Sequence, residues 1–348
     1  MAYNNVMLNL ALAFFSALIL SLILTPAMIV AGGRFGFVDQ PGKRKIHANP
    51  TPLLGGAAVF LSIAISAAIF LYFERFNFWV ILFALAYVLF GLIDDRGINI
   101  RARYKIWTHL LFSLLFVLAS GIELRFFGNS IINLLLTIGF MTFLTNSMNM
   151  LDGMDGLVGG VSAIAAFFFF LLALNGRQTD LAMLSIITLG ACIGFLRYNF
   201  NPASIFLGEA GATLLGYILA LLAIKLNVTG LWDIALYLHI TRLQLVTFIL
   251  PLIILGIPIF DTYFVFTNRF LHHIKFSQPG KDHSHHRIHL MGLSQKGTVL
   301  TLYTVQFVLG AIALAMVNAG VQQFFALCAI VAALAVFAWT FLTQVQVY

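Results

Sequence analysis

Eleven apolar stretches, each close to the roughly 20 residues that a helix needs to cross a bilayer, leave this chain almost no way of folding in water. They run approximately over residues 6–30, 54–73, 78–93, 106–122, 130–147, 157–174, 180–197, 210–226, 244–267, 298–316 and 322–343. Only 9% of the 348 residues are charged and 61% are hydrophobic, whereas a soluble domain carries about 25% charge. Membrane β-barrels alternate apolar and polar positions and lack such unbroken runs. A helix satisfies its own backbone groups within lipid, so the stretches are read as helices. The expected fold is an all-α polytopic membrane protein of 10 or 11 transmembrane helices, forming one integral membrane catalytic domain over residues 1–348. No Lys or Arg precedes the first stretch, which therefore reads as a span and not as a cleaved leader. Cys192 and Cys328 fall inside spans without metal or redox spacing and read as packing residues.

Basic residues give an orientation. The loops after odd-numbered spans hold 14 Lys and Arg, including Arg34, Lys43, Arg44, Lys45, Arg96 and Arg101, against five in the others. The positive-inside rule then places the N-terminus outside and the C-terminus in the cytoplasm. Acidic residues follow the same side without being required to: eight of twelve lie there, namely Asp39, Asp94, Asp95, Asp152, Asp155, Glu209, Asp261 and Asp282. Most sit at span ends, where an ionised group becomes costly. Acids brought to one face by separate loops point to a shared site on the cytoplasmic side.

Five strings carry the chemistry. In GLIDDRGINIRARYK, Asp94 and Asp95 stand together at a helix C-terminus, where the dipole and their mutual repulsion both call for a cation or a proton. Lys105 follows and can meet a phosphate as a point charge. In NSMNMLDGMDGLVGG, Asn146, Asn149, Asp152 and Asp155 recur every three residues, and the glycines favour a turned backbone lining a cavity. YNFNPASIFLGEAGATLLG sets Asn199, Phe206 and Glu209 around a Pro turn, with Glu209 at the start of a span. DHSHHRIH gathers His283, His285, His286 and Arg287; without Cys or an H-E-x-x-H helix it fits an anion-binding patch at least as well as zinc. PGKRKIHANP supplies Lys45 and His47. Asp261 lies deep in an apolar span, which makes it functional by default or the partner of a nearby His or Arg. Carboxylates beside Lys, Arg and His suit phosphoryl transfer assisted by Mg²⁺.

In this order the motifs resemble the polyprenyl-phosphate N-acetylhexosamine-1-phosphate transferases, from about Asp39 to Gly297. The resemblance implies transfer of a sugar 1-phosphate from a UDP-N-acetylhexosamine to undecaprenyl phosphate, giving UMP and starting a cell-envelope glycan at the bacterial inner membrane. It implies Mg²⁺, with Mn²⁺ as an alternative. The partners are then the two substrates and membrane lipid, with no nucleic acid and with a homodimer left open. Asp94, Asp95, Asp155, His285 and His286 would be catalytic, with Asp155 and Glu209 on the metal. Lys45, His47, Lys105, Asn149, Asp152, Asn199, Phe206, His283 and Arg287 would bind substrate, Asn199 and Phe206 at the uridine. The H-x-H-H-R string points to the N-acetylglucosamine branch and not to the N-acetylmuramoyl-pentapeptide one. Glu209 stands where the family has Asp, one methylene shorter. The rivals are a transporter, a histidine-box metalloenzyme and a CDP-alcohol phosphotransferase; the gathering of motifs on one face, the single dense His cluster and the acid spacing speak against them in turn.

Overall fold

The computed structural model describes residues 2–40, 50–71, 75–98, 100–276, 278, 280–345 and 347. Lys45 and His47 lie outside the described residues. The chain is helical almost throughout. α1 spans Ala2–Phe35, and the two-residue strands β1 (Val38–Asp39) and β2 (Thr51–Pro52) pair antiparallel after it. Next come α2 (Gly55–Phe70), α3 (Arg75–Ile93), a π-turn over Asp94–Ile98, α4 (Ala102–Ser120) and α5 (Ser130–Leu151). α6 (Leu157–Asn175), α7 (Thr179–Asn199) and α8 (Gly208–Lys225) form the middle of the bundle. The last third holds the short α9 (Trp232–Tyr237), α10 (Leu243–Thr247) and α11 (Ile249–Ile254), then α12 (Gly256–Leu271), α13 (Ser284–Leu290), α14 (Gln295–Met316) and α15 (Val321–Thr343).

Nine helices among the described residues are long and apolar enough to cross a membrane. The protein is therefore a multi-pass membrane protein, as its composition requires. The second expected span, α2, is only 16 residues long. The ninth is not one helix: Leu243–Ile254 and Gly256–Leu271 meet at 81°. Pro251 and Pro258 lack the amide hydrogens a continuous helix would use, and Gly256 lies between them. Gln306 of α14 donates its side-chain amide to the Ile254 carbonyl, so a polar backbone group at the break finds a partner inside the protein.

α8 is the axis. Every residue from Gly208 to Ile224 is buried, and α2, α3, α5 and α6 pack around it. Close approach at its first turn depends on small residues. A Cβ on Gly56 of α2 would fall 2.3 Å from Gly211 N, and one on Gly91 of α3 would fall 2.3 Å from Ala210 Cα. By contrast α15 buries only Phe324 and Leu342, and its exposed Val336 and Phe337 present an apolar surface suited to lipid. Gly91→Val should therefore push α3 off the first turn of α8 and lower Tm, with a cost of about 1–3 kcal/mol for overpacking. An unchanged Tm in a thermal unfolding assay of the purified protein would contradict this packing.

Candidate active site

The ends of α3, α5 and α7, the start of α8 and the loop before α14 meet around one cavity of about 500 Å³. Six carboxylates line it: Asp39, Asp94, Asp95, Asp152, Asp155 and Glu209. The acids expected from separate loops are thus brought to one place, at the end of the bundle reached by the loops after odd-numbered spans. Asn149, Asn199, Phe206, His286 and Gln295 complete its polar and aromatic wall.

The adjacent acids do different things. Asp95 accepts the backbone N–H groups of Glu209 at 2.8 Å and Ala210 at 3.1 Å, satisfying two of the donors that the start of a helix leaves open. A Cβ on Gly208 would lie 2.6 Å from the Asp95 Oδ2, and Gly208 has φ +72°, so only glycine admits this carboxylate. Asp94 turns the other way. Its Oδ1 accepts the Ile100 amide at 2.7 Å and its Oδ2 meets Lys105 Nζ at 2.7 Å. Lys105 also holds Glu209 Oε2 at 2.8 Å. Expected to meet a phosphate, its ammonium here bridges two acids from distant parts of the chain.

The loop after α5 is fixed from the opposite side. Asn199 accepts the Gly156 amide at 3.1 Å and donates to the Ile205 carbonyl at 2.8 Å, so its amide ties the Asp152–Gly156 loop to the turn before α8. Asp155 Oδ2 accepts Asn201 Nδ2 and the Ala203 amide, both at 3.0 Å. Phe206 is seated by backbone bonds, its N–H to Pro52 O at 2.8 Å and its carbonyl from Gly55 N at 3.1 Å. The small β-pair that starts this clasp also carries Asp39 to the cavity.

The histidine loop divides. His286 lines the cavity; burial, reinforced by the neighbouring charges of His283 and Lys281, pushes it down to about 4, so the ring is neutral near pH 7. His285 is fully buried, neither ring nitrogen is hydrogen-bonded among the described residues, and burial holds it well below the usual imidazole range. Its Nε2 fills the place of a side chain on Gly153. Burial penalises a charged His283, yet Asp261 at 2.7 Å outweighs that penalty and raises its pKa. Asp261 also accepts Ser284 N at 2.7 Å and Ser284 Oγ at 2.6 Å, so the acid inside α12 anchors α13. The donor atoms of Asp261, His283 and His285 lie within 4.8 Å of one another. The 2.7 Å His283–Asp261 contact is a hydrogen bond, shorter than the roughly 3.3 Å separating ligands of a tetrahedral zinc.

Arg287, expected at the substrate, is not among the described residues that line the cavity: its guanidinium bonds to the carbonyls of Asp282 at 3.1 Å, Leu342 at 3.0 Å and Val345 at 2.6 Å, and stacks 5.0 Å from the Phe264 ring centre. Leu342 O, which also accepts the Val345 N–H at 3.2 Å, and Val345 O lie at the C-terminal end of α15, where the helix dipole favours a guanidinium. Sequence reasoning also passed over Asn201, although it lies within the YNFNPASIFLGEAGATLLG string, and Gln295, which lies in none of the five strings.

The cavity supplies oxygen donors of the kind a divalent cation takes. Among the described residues no Lys or Arg lines the cavity, and Lys105 at its edge pairs with two of its acids, Asp94 and Glu209. Glu209 Oε1 is buried and makes no hydrogen bond within 3.5 Å among the described residues. Desolvation, then the charges of Glu209 and Asp155, pushes Asp152 up to about 7. Such oxygen donors are those Mg²⁺ prefers.

Fold and site together define a polytopic membrane protein with an acidic cavity at one end of its helix bundle. The family model described as glycosyl transferase family 4 matches residues 77–227, which include Asp94, Asp152 and Glu209. A probable undecaprenyl-phosphate N-acetylglucosaminyl 1-phosphate transferase of Bacillus subtilis is 31% identical over 323 residues, covering 90% of this chain and 86% of the relative. The undecaprenyl-phosphate alpha-N-acetylglucosaminyl 1-phosphate transferase of Thermotoga maritima is 27% identical, covering 82% and 91%. A phospho-N-acetylmuramoyl-pentapeptide-transferase of Bacillus velezensis is 26% identical, covering 84% and 93%. The chain belongs to glycosyl transferase family 4.

Asp261→Ala should strand three donors on α13. Each stranded buried polar group costs about 1–3 kcal/mol, and about 1.4 kcal/mol is a factor of ten. Amide hydrogen exchange across residues 282–290 should therefore accelerate at least about tenfold, while α8 stays protected. Unchanged exchange in that segment would contradict the anchoring role.

Proposed function

We propose that this protein transfers N-acetylglucosamine 1-phosphate from UDP-N-acetylglucosamine to undecaprenyl phosphate at the cytoplasmic face of the bacterial inner membrane. The products are undecaprenyl-diphosphate-N-acetylglucosamine and UMP. The observation that carries this reading is the acid-lined cavity at the end of an apolar bundle, into which six carboxylates, Glu209 and Asp155 among them, converge. Two relatives with this activity in their names align with most of the chain, and they support N-acetylglucosamine over the muramoyl donor. An acidic wall repels a diphosphate unless positive charge accompanies it. Glu209 and Asp155 would hold Mg²⁺, or Mn²⁺ in its place, which when bound supplies that charge to the phosphates.

In the reaction an oxygen of the lipid phosphate attacks the phosphorus bonded to the sugar. A new P–O bond forms, the P–O bond to the UMP oxygen breaks, and the electron pair leaves on UMP. Direct attack is favoured over a carboxylate acting first, because Asp95 is spent on the amides of α8 and Asp94 on Lys105 and the Ile100 amide. Lys105 holds Asp94 and Glu209 in register and supplies a cation at the edge of the site. His286, neutral near pH 7, offers hydrogen bonding to a phosphate or sugar oxygen and no net charge.

Purified protein should release UMP from UDP-N-acetylglucosamine only when undecaprenyl phosphate and Mg²⁺ are both present. Glu209→Gln keeps the size and removes the charge. Even outer-shell partners of a metal typically contribute 10–100-fold, so this variant should lose about 100-fold or more in turnover. Full Mg²⁺-dependent turnover by Glu209→Gln would sink the role given to Glu209, and acceptor-independent UMP release would sink the transfer itself.

A further inference from the structure

An amide on the cavity wall has its orientation dictated by its neighbours. Asp155 Oδ2 accepts the Ala203 N–H at 3.0 Å, so the Asn201 atom facing the same oxygen at 3.0 Å is the amide nitrogen. That NH₂ carries two hydrogens, and the second points to the Gln295 side chain at 2.8 Å, whose atom there must be the carbonyl Oε1. The opposite end of Gln295 is therefore Nε2, a donor of two hydrogens. Gln295 is half-buried, lines the cavity, and its Nε2 makes no hydrogen bond to the described residues. On a wall otherwise rich in carboxylate acceptors it is a neutral donor of fixed direction.

We infer that Gln295 is a specificity-determining residue whose Nε2 donates a hydrogen bond to a carbonyl oxygen of the bound nucleotide-sugar. This rests on the donor substrate proposed above. That substrate carries such oxygens in two places, the uracil ring and the acetamido group of the sugar. Asn201 is the positioning residue: it passes the fixed polarity of Asp155 Oδ2 to Gln295. A site that presents a donor to a carbonyl discriminates against analogues lacking that oxygen, because its buried polar group is then left unpaired.

The test is equilibrium binding by calorimetry to the full-length purified chain with Mg²⁺, using UDP-N-acetylglucosamine, UDP-glucose, UMP and undecaprenyl phosphate as separate ligands. Gln295→Ala removes the amide, and Gln295→Glu keeps its shape while replacing the donor by an acceptor, so the second variant serves if the first unfolds. Both should bind UDP-N-acetylglucosamine roughly 3- to 10-fold more weakly, the size of one neutral hydrogen bond, with undecaprenyl phosphate unaffected. Equal weakening of UMP assigns the contact to uracil. Unchanged UMP and UDP-glucose binding assigns it to the acetamido group. Wild-type affinity for UDP-N-acetylglucosamine in both variants, or loss of both substrates alike, overturns the inference. A wild-type protein that binds no uridine nucleotide overturns the donor reading itself.

Discussion

Two backbone amides at the start of α8 decide where the charges of this protein go. α8 is the most enclosed element of the bundle, and a helix start buried among apolar neighbours cannot turn to water for its open N–H groups. Asp95 takes the amides of Glu209 and Ala210. That contact locks the exit of α3 onto the entrance of α8, and Gly91 and Gly208 make it sterically feasible. Once it is made, Asp94 and Glu209 are held close enough for a single ammonium, that of Lys105, to bridge them. The site is a consequence of satisfying a helix end inside a membrane protein.

The same economy explains the opposite wall. Asn199 and Asn201 spend their amides on Gly156, Ile205, Asp155 and Gln295, so the acid-bearing loop after α5 and the turn before α8 move as one body. Farther out, Asp261 and Asp282 tie the histidine loop to α12: Asp261 through His283 and Ser284, and Asp282 through the paired contacts with Arg269 at 2.7 and 2.8 Å. These anchors leave His286 as the loop's contribution to the cavity. The residues that build the site outnumber those that can touch a ligand.

Much of this was legible in the chain. Nine of the eleven expected spans follow from hydropathy, and the convergence of Asp94, Asp95, Asp152, Asp155 and Glu209 follows from their position at the ends of spans on one side. What sequence could not separate was contact from support. Arg287 looks like a phosphate ligand because it sits among histidines, but its guanidinium bonds to carbonyls at the end of α15, some fifty residues away in sequence. Asp94 and Asp95 look equivalent until α8 arrives between them. The break between α11 and α12 is hidden by an apolar run whose hydropathy is continuous although its backbone is not. Gln295 carries no charge and no motif, and only the hydrogen-bond chain from Asp155 gives it a direction.

The central claim is that distant acids surround one divalent ion at the cavity floor. Anomalous diffraction from crystals equilibrated with Mn²⁺ and UMP tests it most directly. The account predicts one strong peak within ligand distance of the Glu209 carboxylate, facing Asp155. A peak confined to the Asp261, His283 and His285 cluster, or none at the cavity while UMP is bound there, would contradict it.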